Sequence, residues 1–485
     1  MITPEIIVAG LVVAIILLDL VVQNKGILAA LSVIGLAASL IVSVLLWGET
    51  DNTLFNGMLK VDELALSFNV LLCGAAILVI LASQDYVSKL SRFQGEYYAL
   101  LLISVIGMMF MASSRDLIAI YISLEATSIS LYSLTALLRN KKSSEAGLKY
   151  LILGAIASCI LLFGMALTFG VTGETKLDGI LEALSSSGLS YTDNPAILLG
   201  IIFLVGGFAF KIAAVPMQMW VPDVYEGAPT PITAYLSVAS KAVGFAVILR
   251  VFFGAFGDRL SDWAIIFAVL SAITMSVGNI VAIQQTNIKR MLGYSSIAQA
   301  GYLMVGLAAV TKLDGGTDLA LYGPTGIVFF MTAYAVANLG VFFAVIAITN
   351  KIQSDKISEF SGIGRRAPMI SLALTLCLVS LTGFPPAAGF LAKFYLFNSA
   401  VQQGLAWLVF LGVLNSAISA YYYFRVIKVT WFGNPKSDES VPSGWALRFA
   451  LFITCVGVLL LFFYPSPLLD VAQDVTRSVA ATVIH

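Results

Sequence analysis

The sequence predicts an all-α polytopic membrane protein of about fourteen transmembrane helices. Three observations carry this. Hydrophobic residues make up 59% of the 485 and charged residues only 11%, where a soluble domain carries about 25% charged residues. Apolar runs of about 20 residues, the length that crosses hydrocarbon as a helix, recur along the chain. Lysine and arginine gather in alternate connections between those runs, the asymmetry that marks a cytoplasmic side.

Composition also excludes function classes. With 27 basic and 27 acidic residues, no charged tail offers a nucleic-acid surface. No hydrophilic stretch approaches the roughly 50 residues of a small soluble domain. Cys73, Cys159, Cys377 and Cys455 stand singly in apolar runs, which disfavours iron–sulfur ligation and disulfides and favours cysteine as a small apolar helix residue. The one histidine is His485. Histidine-ligated haem or zinc and a Ser-His-Asp triad are thereby disfavoured together, and proton transfer inside the membrane has to proceed without imidazole.

The opening run, MITPEIIVAG, lacks a basic region and reads as an uncleaved first span. Spans follow near 4–22, 27–47, 64–83, 96–113, 116–138, 147–170, 196–221, 231–253, 262–284, 292–311, 323–349, 369–402, 405–430 and 446–464. The run 369–402 is interrupted by Gly383-Phe384-Pro385-Pro386 and reads as one broken helix, although two short helices also fit. Seventeen of the 27 lysines and arginines fall in one set of alternate connections and seven in the other, Arg250 among the seven. The richer side is predicted to be cytoplasmic, which places both termini outside.

The remaining three, Lys211, Lys241 and Lys393, lie deep in spans, as does Glu125 in DLIAIYISLEATSISLYSL. Charges at membrane depth are expensive and mark function by default. Two opposite charges about 6 Å apart at an effective dielectric near 20 interact by about 3 kcal/mol, enough for a moving glutamate to decide whether a buried lysine keeps its proton. The structural alternatives are a protonated Glu125 bonded to a neighbouring serine or tyrosine, and lysines that snorkel to a surface.

The stretch Gly206–Pro231 concentrates the expense. Pro216 follows Lys211 by five residues and is expected to free the carbonyl of Ile212. Pro385 and Pro386 likewise free those of Leu381 and Thr382, ahead of Lys393. Ser237 lies one turn before Lys241 and offers its ammonium a partner, while Gly244 permits a close helix neighbour. Gln218, Ser237, Gln299 and Tyr302 are candidates for holding waters along a polar axis, with Thr127, Ser128, Tyr132, Ser295, Ser296, Thr332, Tyr334 and Asn338. NIKRM at 287–291 reads as a positive anchor before the tenth span. A proline-broken span with a deep lysine occurs twice, which hints at internal duplication.

The segments KIAAVPMQMWVPDVYEGAPTPITAYLSVASKAVGF, QTNIKRMLGYSSIAQAGY and GFPPAAGFLAKFYLF resemble the antiporter-like subunit N of bacterial and archaeal respiratory complex I, in order, from about Tyr97 to Lys428. The resemblance implies fourteen helices, with 1–95 as three N-terminal spans and 96–254 and 261–432 as inverted five-helix repeats. Spans 7 and 12 would be broken, and 445–485 would hold the last span and tail. It implies that Glu125 and Lys211 interact, that Lys241 is the central lysine and Lys393 the terminal one. Members often carry histidine where this chain has Gln218 and Gln299. Glutamine bridges waters but takes up no proton, so those roles do not transfer.

The implied function is a non-catalytic proton-translocating subunit of a complex I-type oxidoreductase in a prokaryotic plasma membrane. This chain would bind no cofactor, while flavin and iron–sulfur clusters sit in other subunits. Its partners would be the L- and M-type antiporter-like subunits, the small K-, J-, A- and H-type subunits, and the bilayer. The electron donor is left open between NADH, a reduced deazaflavin and ferredoxin. The main rival is a subunit of a multi-component sodium/proton antiporter without redox chemistry. A structural spacer and a membrane-embedded enzyme are further alternatives.

Overall fold

The computed structural model describes residues 2–48, 52–88, 90, 93–186, 194–257, 260–310, 322–435, 437 and 439–480. Lys89, Arg92, Arg259, Lys312, Lys436 and His485 lie outside them. The N-terminal part comprises α1 (Thr3–Val21), α2 (Gly26–Leu45), a hairpin of β1 (Asn52–Leu54) and β2 (Leu59–Val61), and α3 (Glu63–Val87). Next come α4 (Gln94–Ser113), α5 (Leu117–Thr135), α6 (Lys141–Thr172), α7 (Leu177–Ser186), α8 (Pro195–Ile212), α9 (Trp220–Gly227), α10 (Thr230–Tyr235) and α11 (Lys241–Phe256). The rest comprises α12 (Leu260–Ile283), α13 (Ile288–Ala308), α14 (Tyr322–Ile352), α15 (Ile363–Arg366), α16 (Pro368–Thr382), α17 (Ala388–Gln402), α18 (Ala406–Phe432), α19 (Trp445–Phe463) and α20 (Ser466–Ala480).

Twelve helical segments among the described residues are long and apolar enough to cross a membrane, so the polytopic all-helical class holds. The two other expected spans take different forms. Helix α13 has the length, but Lys289, Arg290, Ser295, Ser296 and Gln299 dilute its apolar character. The run 369–402 is the broken pair α16 and α17.

The centre of the molecule is the continuous stretch α10–α11, in which every residue from Thr230 to Phe256 is buried. It runs with α14 through the core, while α1, α2 and α6 turn rows of leucine and isoleucine outward, as lipid-facing helices do. Helices α12 and α13 approach at backbone distance because two glycines leave room. A Cβ on Gly278 would lie 2.6 Å from the Ala298 nitrogen, and one on Gly301 would lie 2.5 Å from that of Met275. Small residues at helix contacts are how packing proceeds where hydrophobicity cannot drive it.

Three features escaped the sequence reading. Helix α20 packs its Ala472, Val475 and Val479 inward against α14 and α3; its polar face hid it from a search for apolar runs. A π-helical turn at Leu236–Ser240 joins α10 to α11. Arg250, counted with the outer connections, lies inside α11 at 5% exposure. Its two terminal nitrogens each donate to an Asp62 carboxylate oxygen at 2.7 Å, and its Nε donates to the Ala112 carbonyl at 2.8 Å. Asp62 also caps α3 by accepting from the Ala65 N–H at 3.0 Å. Desolvation would raise the Asp62 carboxyl, but the paired guanidinium prevails and holds it below the usual carboxylate range.

Asp62→Ala strands a buried guanidinium, so it is expected to lower stability by about 3–5 kcal/mol, read as a drop in Tm of the detergent-solubilised protein. Because the native carboxyl is held low, the pair's contribution is present above the usual carboxylate pKa of about 3.9 and lost as pH falls through the lower native value. The gap between wild type and Asp62→Ala should therefore narrow in acid.

Candidate functional site: three buried lysines on serine hydroxyls

Helix α8 ends at Ile212, four residues before Pro216. The Ala213 N–H bonds the Phe210 carbonyl at 3.2 Å and the Ala214 N–H bonds that of Ala209 at 2.8 Å, with Ala213 in the left-handed region at φ 64°. This paired closure is a Schellman end. Helix α16 ends the same way, with the Gly383 N–H on Ser380 and the Phe384 N–H on Val379, at 3.0 and 3.3 Å. At the first break the helix has therefore closed before Pro216. The carbonyl seen taking a side-chain donor is that of Phe210, from the Trp220 indole at 3.0 Å, in place of the expected role for Ile212. At the second break the expectation holds. The Leu381 carbonyl accepts from Gln299 Nε2 at 3.0 Å, and the Thr382 carbonyl accepts from Lys393 Nζ at 2.8 Å and Ser416 Oγ at 2.9 Å.

All three deep lysines are buried, Lys211 at 3%, Lys241 at 2% and Lys393 at 5% exposure. That rules out snorkelling within this fold. Each ammonium donates to a serine hydroxyl. Lys211 bonds Ser128 on α5 at 2.9 Å. Lys241 bonds both the hydroxyl and the carbonyl of Ser296 on α13. Lys393 bonds Ser416 on α18 at 2.9 Å and stands 4.4 Å from the Tyr302 ring centroid. A hydroxyl accepts from an ammonium and still donates onward: Ser128 to the Leu124 carbonyl, Ser416 to that of Thr382.

Glu125 is half-buried, and its carboxylate accepts from Ser158 on α6. Ser128, three residues on, faces the same side of α5 and holds Lys211. The carboxylate and the ammonium are thus linked through one turn of α5. Ser158 carried no signal in the sequence, being one small residue in an apolar run.

Around Lys241 the hydroxyls converge. Ser296 Oγ lies 2.9 Å from Tyr334 Oη and 3.1 Å from Tyr225 Oη, and Tyr334 donates to the Ser237 carbonyl at 3.1 Å. Ser237 Oγ binds the Ala234 carbonyl and Asn338 at 2.7 and 2.6 Å; the partner expected for Lys241 is supplied by Ser296 instead. Gly244 does permit a close neighbour. A Cβ there would meet Ile212 at 2.7 Å and the Lys211 stem at 3.5 Å, so the turn after Lys241 lies directly on Lys211.

Tyr334, Gln299 and Lys393 then line one small void of about 10 Å³, about what a single water occupies. Tyr302 accepts from Asn279 at 3.0 Å, and Tyr423 bonds Ser295. Asn279, Tyr422 and Tyr423 went unnamed in the sequence reading, although three consecutive tyrosines at 421–423 inside an apolar span were a readable signal. Gln218 stands apart from this network in a half-buried 3₁₀ turn, its buried Oε1 without a hydrogen-bond partner among the described residues. Pro216, Pro385 and Pro386 are exposed.

NIKRM is more than an anchor. Arg290 bonds Asp223 at 2.6 Å and Glu226 at 3.2 Å, Lys142 and Lys149 of α6 join the same carboxylates at 2.8 Å, and Lys289 is buried on the Ala228 carbonyl. The PDVYEG segment is thereby clamped between α6 and α13.

Residues 114–419 match the family model described as NADH:quinone oxidoreductase/Mrp antiporter, transmembrane. The chain belongs to this family. Among family relatives, the NADH-quinone oxidoreductase subunit N of Dehalococcoides mccartyi is 46% identical over 98% of each chain. A chain of respiratory complex I from Thermus thermophilus is 30% identical with a TM-score of 0.80, covering 96% of this chain and 99% of that one. A chain of the Mrp complex from Dietzia sp. DQ12-45-1b shares the fold, with a TM-score of 0.87 at 17% identity over 98% and 97%.

Two glycines separate backbone strain from the Lys393 contact. Gly383 has φ 90°, and a Cβ there would lie 2.9 Å from Lys393 Cδ; Gly404 has φ 74° with nothing nearby. Alanine at Gly404 should cost about 1–2 kcal/mol from left-handed strain alone. Gly383→Ala should cost more, and among the two it alone should impair activity, measured by thermal unfolding of the purified chain and coupled turnover of the assembled complex.

Proposed function

We propose that this chain is the antiporter-like subunit N of a complex I-type NADH-quinone oxidoreductase, and that it translocates protons without itself carrying out redox catalysis. The 46% identity to a subunit N along nearly the whole chain carries the assignment. The Mrp likeness, at 17% identity, supports the shared fold alone, so the non-redox antiporter is the weaker reading. Flavin and iron–sulfur clusters belong to other subunits in this reading. The host membrane is a prokaryotic plasma membrane, with both termini outside. The matched Schellman ends of α8 and α16 support treating 96–254 and 261–432 as inverted repeats.

Within the subunit, Glu125, Lys211, Lys241 and Lys393 form the proton relay. Glu125 modulates Lys211 through the Ser128 turn, Lys241 takes the proton from Lys211, and Lys393 receives it through Tyr334, Gln299 and one water. Buried ammonium groups held by hydroxyls and carbonyls support this. A neutral acceptor satisfies an ammonium yet leaves it free to lose its proton, whereas a contacting carboxylate would lock it in the charged form.

Lys211→Gln and Glu125→Gln should abolish or strongly reduce proton translocation per electron while the complex still assembles. Ser128→Ala removes one charge-assisted hydrogen bond of about 1.5–3 kcal/mol and should slow coupled turnover by about tenfold or more. Proton uptake in proteoliposomes and quinone-reductase assays measure both. Unchanged pumping in both Lys211→Gln and Glu125→Gln would sink the relay. Mass spectrometry that found only small membrane proteins co-purifying, with no iron–sulfur subunits, would sink the assignment.

A further inference from the structure

The first half of α16 and the face of α19 enclose a groove of about 570 Å³ that none of the three buried lysines lines. Its walls are apolar, formed chiefly by Ile370, Ala373, Leu376, Leu451, Phe452 and Leu459. At one end it reaches Ser443 and Arg448, where it meets a second recess of about 470 Å³ lined by polar groups including Asn350 and Lys351. Ser443 borders both spaces, and Arg448, exposed, donates from Nε to Ser443 Oγ at 2.9 Å. The guanidinium is therefore held where apolar and polar volumes join.

The basic groups that line this mouth or bond to its lining are Arg448, Lys351 and Arg366, the last donating to the Glu439 carbonyl at 2.7 Å; the acidic ones are Asp85 and Glu439. Both acids are already engaged, Glu439 with Lys351 at 2.6 Å and Asp85 with the Gly444 N–H at 3.0 Å. A positive excess remains beside the groove. Trp445, 74% exposed, lies one helical turn from Arg448, and tryptophan beside arginine marks the headgroup level of a bilayer. The charged end thus sits at headgroup depth and the apolar walls at acyl depth.

We infer that the α16–α19 groove binds an anionic glycerophospholipid, its phosphate at Arg448 and an acyl chain along Leu376 and Leu459. Charge complementarity selects an anionic over a zwitterionic headgroup. A helix from another subunit would not need the polar recess that continues the groove past Ser443.

The test uses the complex in phosphatidylcholine nanodiscs doped equally with photoactivatable phosphatidylglycerol or phosphatidylcholine, with labelled peptides mapped by mass spectrometry. Phosphatidylglycerol should label 368–382 and 445–463 about fivefold more than phosphatidylcholine, the worth of one basic residue at a membrane surface. Arg448→Gln, at an exposed position, should erase that preference, and Ala373→Phe should block labelling by both lipids. Equal labelling by the two lipids in the wild type, an unchanged preference in Arg448→Gln, or crosslinks to a neighbouring polypeptide in place of lipid would each overturn the site.

Discussion

Keeping an ammonium group inside a membrane-spanning protein is the constraint on which this structure turns. The desolvation penalty is large, and the usual remedy is a carboxylate in contact. Here each of Lys211, Lys241 and Lys393 instead finds a serine hydroxyl, with one backbone carbonyl added at Lys241 and one at Lys393. The serines come from three different helices, so the lysines tie together α5, α13 and α18 around the central stretch. The fold's helix order and its chemistry share one set of bonds.

The two broken helices serve that constraint differently despite identical ends. At the second break, loss of helical partners exposes the Leu381 and Thr382 carbonyls, and the side chains of Gln299 and Lys393 take them up. At the first, the Trp220 indole takes the Phe210 carbonyl and stacks its ring on Tyr150 at 4.5 Å. One break supplies acceptors to a lysine. The other is closed by an aromatic clamp, leaving Lys211 to a serine across the helix gap.

Much of this was legible in the sequence because it follows from local covalent facts. A proline frees the carbonyl four residues back, so Leu381 and Thr382 could be named in advance. A lysine ten residues from either end of an apolar run reads as deep, and all three are buried. What stayed hidden depends on approach between distant segments. Nothing near Arg250 points to Asp62, 188 residues earlier. Nothing marks Ala213 as a helix end, since alanine favours helix and takes the left-handed conformation here only under tertiary pressure. Helix α20 was missed because amphipathic surface helices fail a test built on continuous apolarity.

The π-helical turn at Leu236–Ser240 changes how the central stretch behaves as a mechanical part. A wide turn holds one residue more than an α turn needs, and each residue of an α-helix spans about 100° and 1.5 Å. Downstream, α11 is anchored by the Arg250–Asp62 pair just past its midpoint, so that side cannot rotate without breaking a buried ion pair. Upstream, the PDVYEG segment is held by Arg290, Lys142 and Lys149 on Asp223 and Glu226. Both flanks are therefore pinned by charge pairs, and the widened turn, with Lys241 directly after it, is the one irregular step between them.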